Sequence, residues 1–156
     1  MQNTPQDTQP ESWQRFFASA ANNRAWQLAD DYADPANAIA VLNAAHASAF
    51  HWRALGTELN HMRATMLLAH ANALVGHGLP ALALTEEVRS YFFAQVDTPA
   101  WELAFVHAIH AHAASVAGDA PLHAPSYVAA TRALEAITDA ADRDMVLKTY
   151  RQVPAP

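Results

Sequence analysis

The sequence contains no cysteine, a single lysine, four glycines in 156 residues, and only 15% charged residues. The missing cysteine excludes disulfides, thiolate zinc sites, cysteine nucleophiles and thiolate-bound iron–sulfur clusters. Catalysis or metal binding would therefore fall to His, Asp and Glu. Nine basic residues stand against fifteen acidic ones and are scattered along the chain, so there is no electrostatic footprint for nucleic acid. The longest apolar stretches, 64–76 and 104–118, are broken by His70 and by His107, His110 and His112. Both fall short of the ~18 residues that a membrane-spanning helix needs, and neither a membrane nor a nucleic acid is expected as a partner. Motifs of catalysis are missing as well: there is no GxSxG, phosphate-binding glycine loop, DxD or HExxH. The polar start has no basic or apolar segment of a signal or transit peptide. Residues 1–10 are expected to be a disordered lead-in and 11–153 a single domain, in the cytoplasm.

What is present is alanine, about a quarter of the chain, the residue of highest helix propensity. No stretch shows sustained period-two alternation, so a sheet is not expected. Proline and glycine fall where helices start and stop. A first helix is expected over 11–32. Asp34-Pro35 caps a second that ends before Gly56, and Thr57 caps a third that ends at Gly76-His77-Gly78. Pro80 opens a fourth, reaching about Gln95. Thr98-Pro99 opens a fifth over 99–117, stopping at Gly118. The sixth is expected over 126–137, entered through turns at Pro121 and Pro125, and a shorter seventh over 139–152. The fold class is all-α, with about seven helices in antiparallel helical hairpins.

The third and fifth helices are related by an offset of 42 residues when Gly76 is placed on Gly118. Ala69-His70-Ala71 then falls on Ala111-His112-Ala113, and Leu74-Val75-Gly76 on Val116-Ala117-Gly118. Small residues at Ala69 and Ala111 let a partner helix approach closely. Each glycine makes the turn towards it. This spacing resembles the helix–turn–helix unit of tetratricopeptide-repeat proteins, with Ala69, Gly76 and Ala81 in one unit and Ala111 and Gly118 in the next. The period is longer than that family's 34 residues. The resemblance implies a tetratricopeptide-like right-handed superhelix. The chain also resembles an uncharacterised family of short bacterial proteins related to these repeats, through Asn22-Asn23 with Trp26, His46 with His51-Trp52, Gly56 with Asn60 and Arg63, and Trp101 with Gly118-Asp119. That likeness implies a fold and no chemistry.

Nine histidines are the compositional outlier. His46 and His51 lie about 140° apart around a helix and cannot chelate together. His107 and His110, three residues apart, share a face. They are the only weak candidates for metal ligands, and Glu102 lies five residues before His107, off that face. Histidines half-buried between helices are the simpler reading, and no metal or cofactor is expected. Buried neutral histidines must charge in acid, so stability should fall between pH 7 and pH 5.

A second constellation is Asn60, Arg63 and His70, within about 80° of one another on the third helix. Burying such groups unpaired is costly. They are read either as a brace to the second helix, through His51 or Glu58, or as a pocket in which Arg63 clamps a carboxylate or phosphate. The repeat resemblance implies a groove lined by the first helix of each hairpin. It would offer Asn23 and Gln27, then Arg63, Met66 and His70, then Phe105 and His112. The tryptophans at positions 13, 26, 52 and 101 read as core knobs, and the pairs Asp30-Asp31 and Glu86-Glu87 as solvated faces. The expected function is a small protein-interaction or adaptor module that binds a protein or peptide partner. A stack this short also leaves end faces that a homodimer, or the seventh helix, would cap. The alternative is a small-anion-binding protein or enzyme using Arg63, Asn60 and nearby histidines, with or without a metal.

Overall fold

The computed structural model describes residues 4–6 and 8–156; positions 1–3 and 7 of the expected lead-in lie outside the described residues. Among the described residues the chain is all-helical, with no strand. Seven α-helices follow in order: α1 Pro10–Asp30, α2 Ala38–Leu55, α3 Glu58–Leu74, α4 Gly78–Ala94, α5 Ala100–Val116, α6 Ala120–Glu135 and α7 Ala140–Tyr150. A short 3-10 turn, Pro35–Asn37, precedes α2. None of these helices is long and apolar enough to cross a membrane.

Side-chain caps set several of the helix starts. Asp34 accepts from the Ala36 amide, Asp119 from Leu122 and Asp139 from Asp142. Thr57 and Asn60 form a reciprocal capping box at the head of α3, with an amide where Glu or Gln is usual. Several starts differ from the sequence reading: α2 proper begins at Ala38 after the 3-10 turn that Asp34-Pro35 opens, and α4 begins at Gly78, two residues before Pro80. Thr98 does not cap α5; its hydroxyl donates to the Phe92 carbonyl at 2.7 Å and so closes the end of α4. The sixth helix begins at Ala120 rather than 126, with Pro125 inside it. Lacking an amide hydrogen, Pro125 gives up one backbone bond, to the carbonyl of Pro121, a residue on the exposed side of the helix.

The 42-residue repeat is visible in the backbone. After α3, the Gly76 amide bonds Ala73 and the His77 amide bonds Asn72; after α5, Gly118 bonds Ser115 and Asp119 bonds Ala114. Both glycines have positive φ, 87° and 74°. These are two copies of the Schellman stop.

Consecutive helices pair as hairpins, α1 with α2, α3 with α4 and α5 with α6. The first members also touch one another in order, α1 to α3, α3 to α5 and α5 to α7. They form an inner layer, with α2, α4 and α6 outside. Eleven residues of α5 are buried, as befits a helix covered on every side. One core gathers Met66, Val88, Phe92, Phe105, Ile109 and Val146. A second gathers Ala25, Val41, Ala45 and Leu67 between α1, α2 and α3. Trp26 packs against both.

The seventh helix returns to the first. Lys148 Nζ lies 3.0 Å from Asp30 Oδ2, and Gln152 Nε2 donates to the Ala29 carbonyl at 2.7 Å. Asp30 is thus half of an ion pair rather than a purely solvated acid. The inner layer closes into a cup with walls α1, α3, α5 and α7.

Candidate functional site

Arg63 stands at the centre of this cup. It lies one turn beyond the Thr57–Asn60 box, which aims α3 so that its guanidinium reaches α5. There Nε donates to Glu102 Oε1 at 2.6 Å and Nη2 to Glu102 Oε2 at 3.2 Å. This fork-to-fork geometry suits Arg and a carboxylate. Glu102 is 1% exposed and the Arg63 side chain 41%. The hydrogen bonds to Glu102 raise the Arg63 pKa above its ordinary value, against the opposing effect of partial burial. Its guanidinium also lies over Trp101, 5.6 Å from the ring centroid. The brace expected towards His51 or Glu58 thus runs instead to α5. His51 pairs with Gln14 on α1.

Three hollows meet at Arg63. The first, about 340 Å³, is walled by Trp26, Met66, Trp101, Phe105 and Met145, with Asn22 and Asp30 at its rim. The second, about 200 Å³, is polar and lined by Ser19, Asn22, Asn23, Trp52 and Asn60. The third, about 350 Å³, lies towards the α4–α5 loop, beside Leu59, Tyr91, Gln95 and Thr98. Trp26, Trp52 and Trp101, read as core knobs, are only half-buried and show faces to these hollows.

The residues expected in a groove therefore divide. Asn23, Asn60, Arg63, Met66 and Phe105 line the cup. Gln27 is exposed and lines none of the three hollows. His70 and His112 lie beneath the surface, not on it. Trp26 packs over His70, its ring 5.6 Å away, and His70 lies 6.5 Å from His112. Neither His70 nitrogen, nor Nδ1 of His112, has a hydrogen-bond partner among the described residues. Burial, helped by the neighbouring His112, lowers the His70 pKa to about 3. Burial, helped by His123, lowers that of His112 to about 4. Both rings are neutral and structural at neutral pH.

The pair His107 and His110 faces α4. His110 Nε2 lies 3.0 Å from Glu86 Oε1 and 3.2 Å from Arg89 Nη1, while Arg89 bonds Glu86 at 2.9 Å. Glu86 is therefore engaged, not merely solvated. His107 stacks on Phe93 at 5.0 Å. Burial first, then Arg89, lowers the pKa of both histidines. The cation between Glu86 and His110 is the protein's own guanidinium. Among the described residues no group of three or more His, Asp or Glu side chains is placed to hold a metal ion.

The residue that sequence reasoning missed is Glu102. Its signal was available: it is the only carboxylate on α5, as Arg63 is the only cation on α3. In comparison with known proteins, no family, no curated relative and no solved structure matches the chain.

Proposed function

We propose that the protein is a small tetratricopeptide-like docking module of the cytoplasm, which binds an extended peptide segment of a partner protein in the cup. The observation that carries this reading is the junction at Arg63 of an amide-lined hollow and an aromatic one. Asn22 and Asn23 each offer a donor and an acceptor, the complement of a peptide group whatever side chain it bears. Asn60, whose Oδ1 is held by Thr57, adds its amide NH2 as a donor. The adjoining hollow of Trp26, Trp101 and Phe105 takes one large apolar side chain. Met66 and Met145 in its wall adapt to the shape. Alternation of backbone contacts with a side-chain pocket is how extended peptides are read.

Arg63 supports this reading over the small-anion alternative. Two of its nitrogens are committed to Glu102, whose negative charge offsets the attraction for a second carboxylate. The guanidinium then acts as a fixed wall between the two hollows more than as a clamp. No catalytic step is part of the proposal.

Selection from a random heptapeptide display library tests it. Wild-type protein should enrich sequences with a large apolar residue, and the selected peptides should change the emission of Trp26 and Trp101. Asn22→Trp, which fills the junction from a half-buried position, should abolish both effects. Failure to enrich any sequence, or binding of inorganic phosphate and small carboxylates instead, would overturn it.

A further inference from the structure

The outer face of α2 carries a stripe that no other part of the fold uses. Ile39, Asn43, His46, Phe50 and Arg53 are all exposed and lie within about 80° of one another around the helix. They point away from Val41, Ala45 and Ser48, through which α2 is buried against its neighbours. Ile39 is 74% and Phe50 71% exposed. An isolated exposed apolar residue needs no explanation. Two large ones on a single helix stripe, at mirrored positions, do.

Four of its five positions are palindromic. About a point between Ala44 and Ala45, Ile39 mirrors Phe50 and Asn43 mirrors His46. The charges at its ends are opposite, with Asp34 just before the helix and Arg53 in its last turn. A two-fold contact requires a patch to be complementary to itself, and this pattern meets that requirement. Packed antiparallel on its own copy, α2 would set Ile39 against Phe50 of the second copy, twice. Asn43 would stand level with His46 of the second copy, two donor–acceptor side chains that pair. Arg53 would stand level with Ala36 of the second copy, two residues from Asp34, whose Oδ1 accepts from the Ala36 amide, and the two helix dipoles would oppose favourably. Ala40, Ala47 and Ala49 flank the stripe and let the axes come close.

We infer that the protein forms a two-fold homodimer through the outer stripe of α2, in antiparallel register centred between Ala44 and Ala45. Phe17, 45% exposed, broadens the patch beside Phe50 through its ring contact with His51. The stripe is on the far side of the hairpin from the cup, so both cups of the dimer stay open.

Sedimentation of the full chain tests the inference. The wild type should show twice the 16.9 kDa chain mass. Phe50→Glu and Ile39→Glu should raise the dissociation constant at least about tenfold, the equivalent of ~1.4 kcal/mol. Their helix content should be unchanged, because both positions are exposed. Their melting should match that of wild type diluted until it is monomeric, since self-association itself raises the melting temperature. The chain has no cysteine, so the register can be read by cross-linking. A mixture of Ile39→Cys and Phe50→Cys chains should form a mixed disulfide. Either variant alone should not, since its two thiols would lie about 16 Å apart along the axis. A wild type that stays monomeric up to about 1 mM, the weak limit of specific association, would overturn the proposal. So would a Phe50→Glu chain that dimerises undiminished, or self-cross-linking as efficient as mixed cross-linking.

Discussion

Two polar pairings on the inner helices show what a single residue does here. Glu102 is buried and its partner Arg63 is half-exposed, so the energetic interest lies with the carboxylate. Arg63→Ala leaves that carboxylate buried without a counter-charge. Breaking such a pair by removing one member costs about 3–5 kcal/mol, and water reaching the Arg63 side places this case at the lower end, near 3. The double change Arg63→Met with Glu102→Leu should cost much less, as apolar replacement of a whole pair is close to neutral. Urea denaturation of the singles and the double at pH 7 checks this. A loss below about 0.5 kcal/mol for Arg63→Ala would show that Glu102 finds water instead.

His70 and His112 supply the second residue-scale prediction. Their folded pKa values, about 3 and about 4, lie below the unfolded value near 6.5. The unfolded chain takes up protons first as pH falls. Stability is therefore full above about pH 6.5 and is lost from there down to the folded values. The slope is about 1.4 kcal/mol per pH unit for each ring. The expected window of pH 7 to 5 is only the upper part of this range. His70→Leu should remove one ring's share of the slope, measured by urea melts between pH 7 and pH 4.5; an unchanged slope would refute the assignment. The histidines were legible as structural, but their depth was not. Angular position on α3 groups His70 with Arg63, and only Trp26, from another helix, decides which of them meets solvent.

At the scale of the element, the helix stops were the most legible feature, because their chemistry is local. Gly76 and Gly118 hold positive φ, and an added Cβ would meet nothing within 4 Å at either. Substitution by alanine there should cost only the left-handed backbone penalty, about 1–2 kcal/mol. Gly78, two residues on and inside α4, is the opposite case. Propensity favours alanine at a helical position by about 1 kcal/mol. Yet a Cβ at Gly78 would lie 2.4 Å from the Ala117 amide nitrogen and 2.5 Å from its Cα. Backbone has to move, and α4 would lift from the end of α5. Gly78→Ala should therefore lower the melting temperature more than Gly118→Ala, reversing the order of propensity; equal or smaller loss would refute the close approach. In the sequence Gly76-His77-Gly78 reads as one turn. The second glycine's role depends on a helix end some forty residues away, and local pattern carries no trace of it. The miss at α6 is of another kind: its cap is local, with Asp119 accepting from Leu122 and Pro121 just inside the helix, but the two prolines read as turns.

At the scale of the molecule, an all-helical, hairpin-built chain follows from composition and punctuation, whereas closure of the cup does not. It rests on Lys148 with Asp30 and Gln152 with Ala29, contacts between the two ends of the domain that no periodicity announces. The same closure makes Trp26 decisive. It is the side chain shared by the α1–α2–α3 core and the larger core around α5, with its ring 5.3 Å from Phe105 and 5.6 Å from His70. In the wild type both cores should melt together, as cooperative domains of this size do. Trp26→Ala should cost about 3–5 kcal/mol for the lost packing and cavity. It should also uncouple the cores, because Trp26 packs against both. Without it the α1–α2 hairpin would keep its own contacts with α3 around Val41 and Leu67 and its polar contacts with α7, but lose its apolar link to the core around α5. Hydrogen exchange then separates the outcomes. Uncoupling predicts that α1 and α2 amides exchange at a lower free energy than those of α5, whereas the wild-type core amides of all three share one value. A Trp26→Ala chain in which α1, α2 and α5 are destabilised equally would show that the α7 return, not Trp26, joins the two halves.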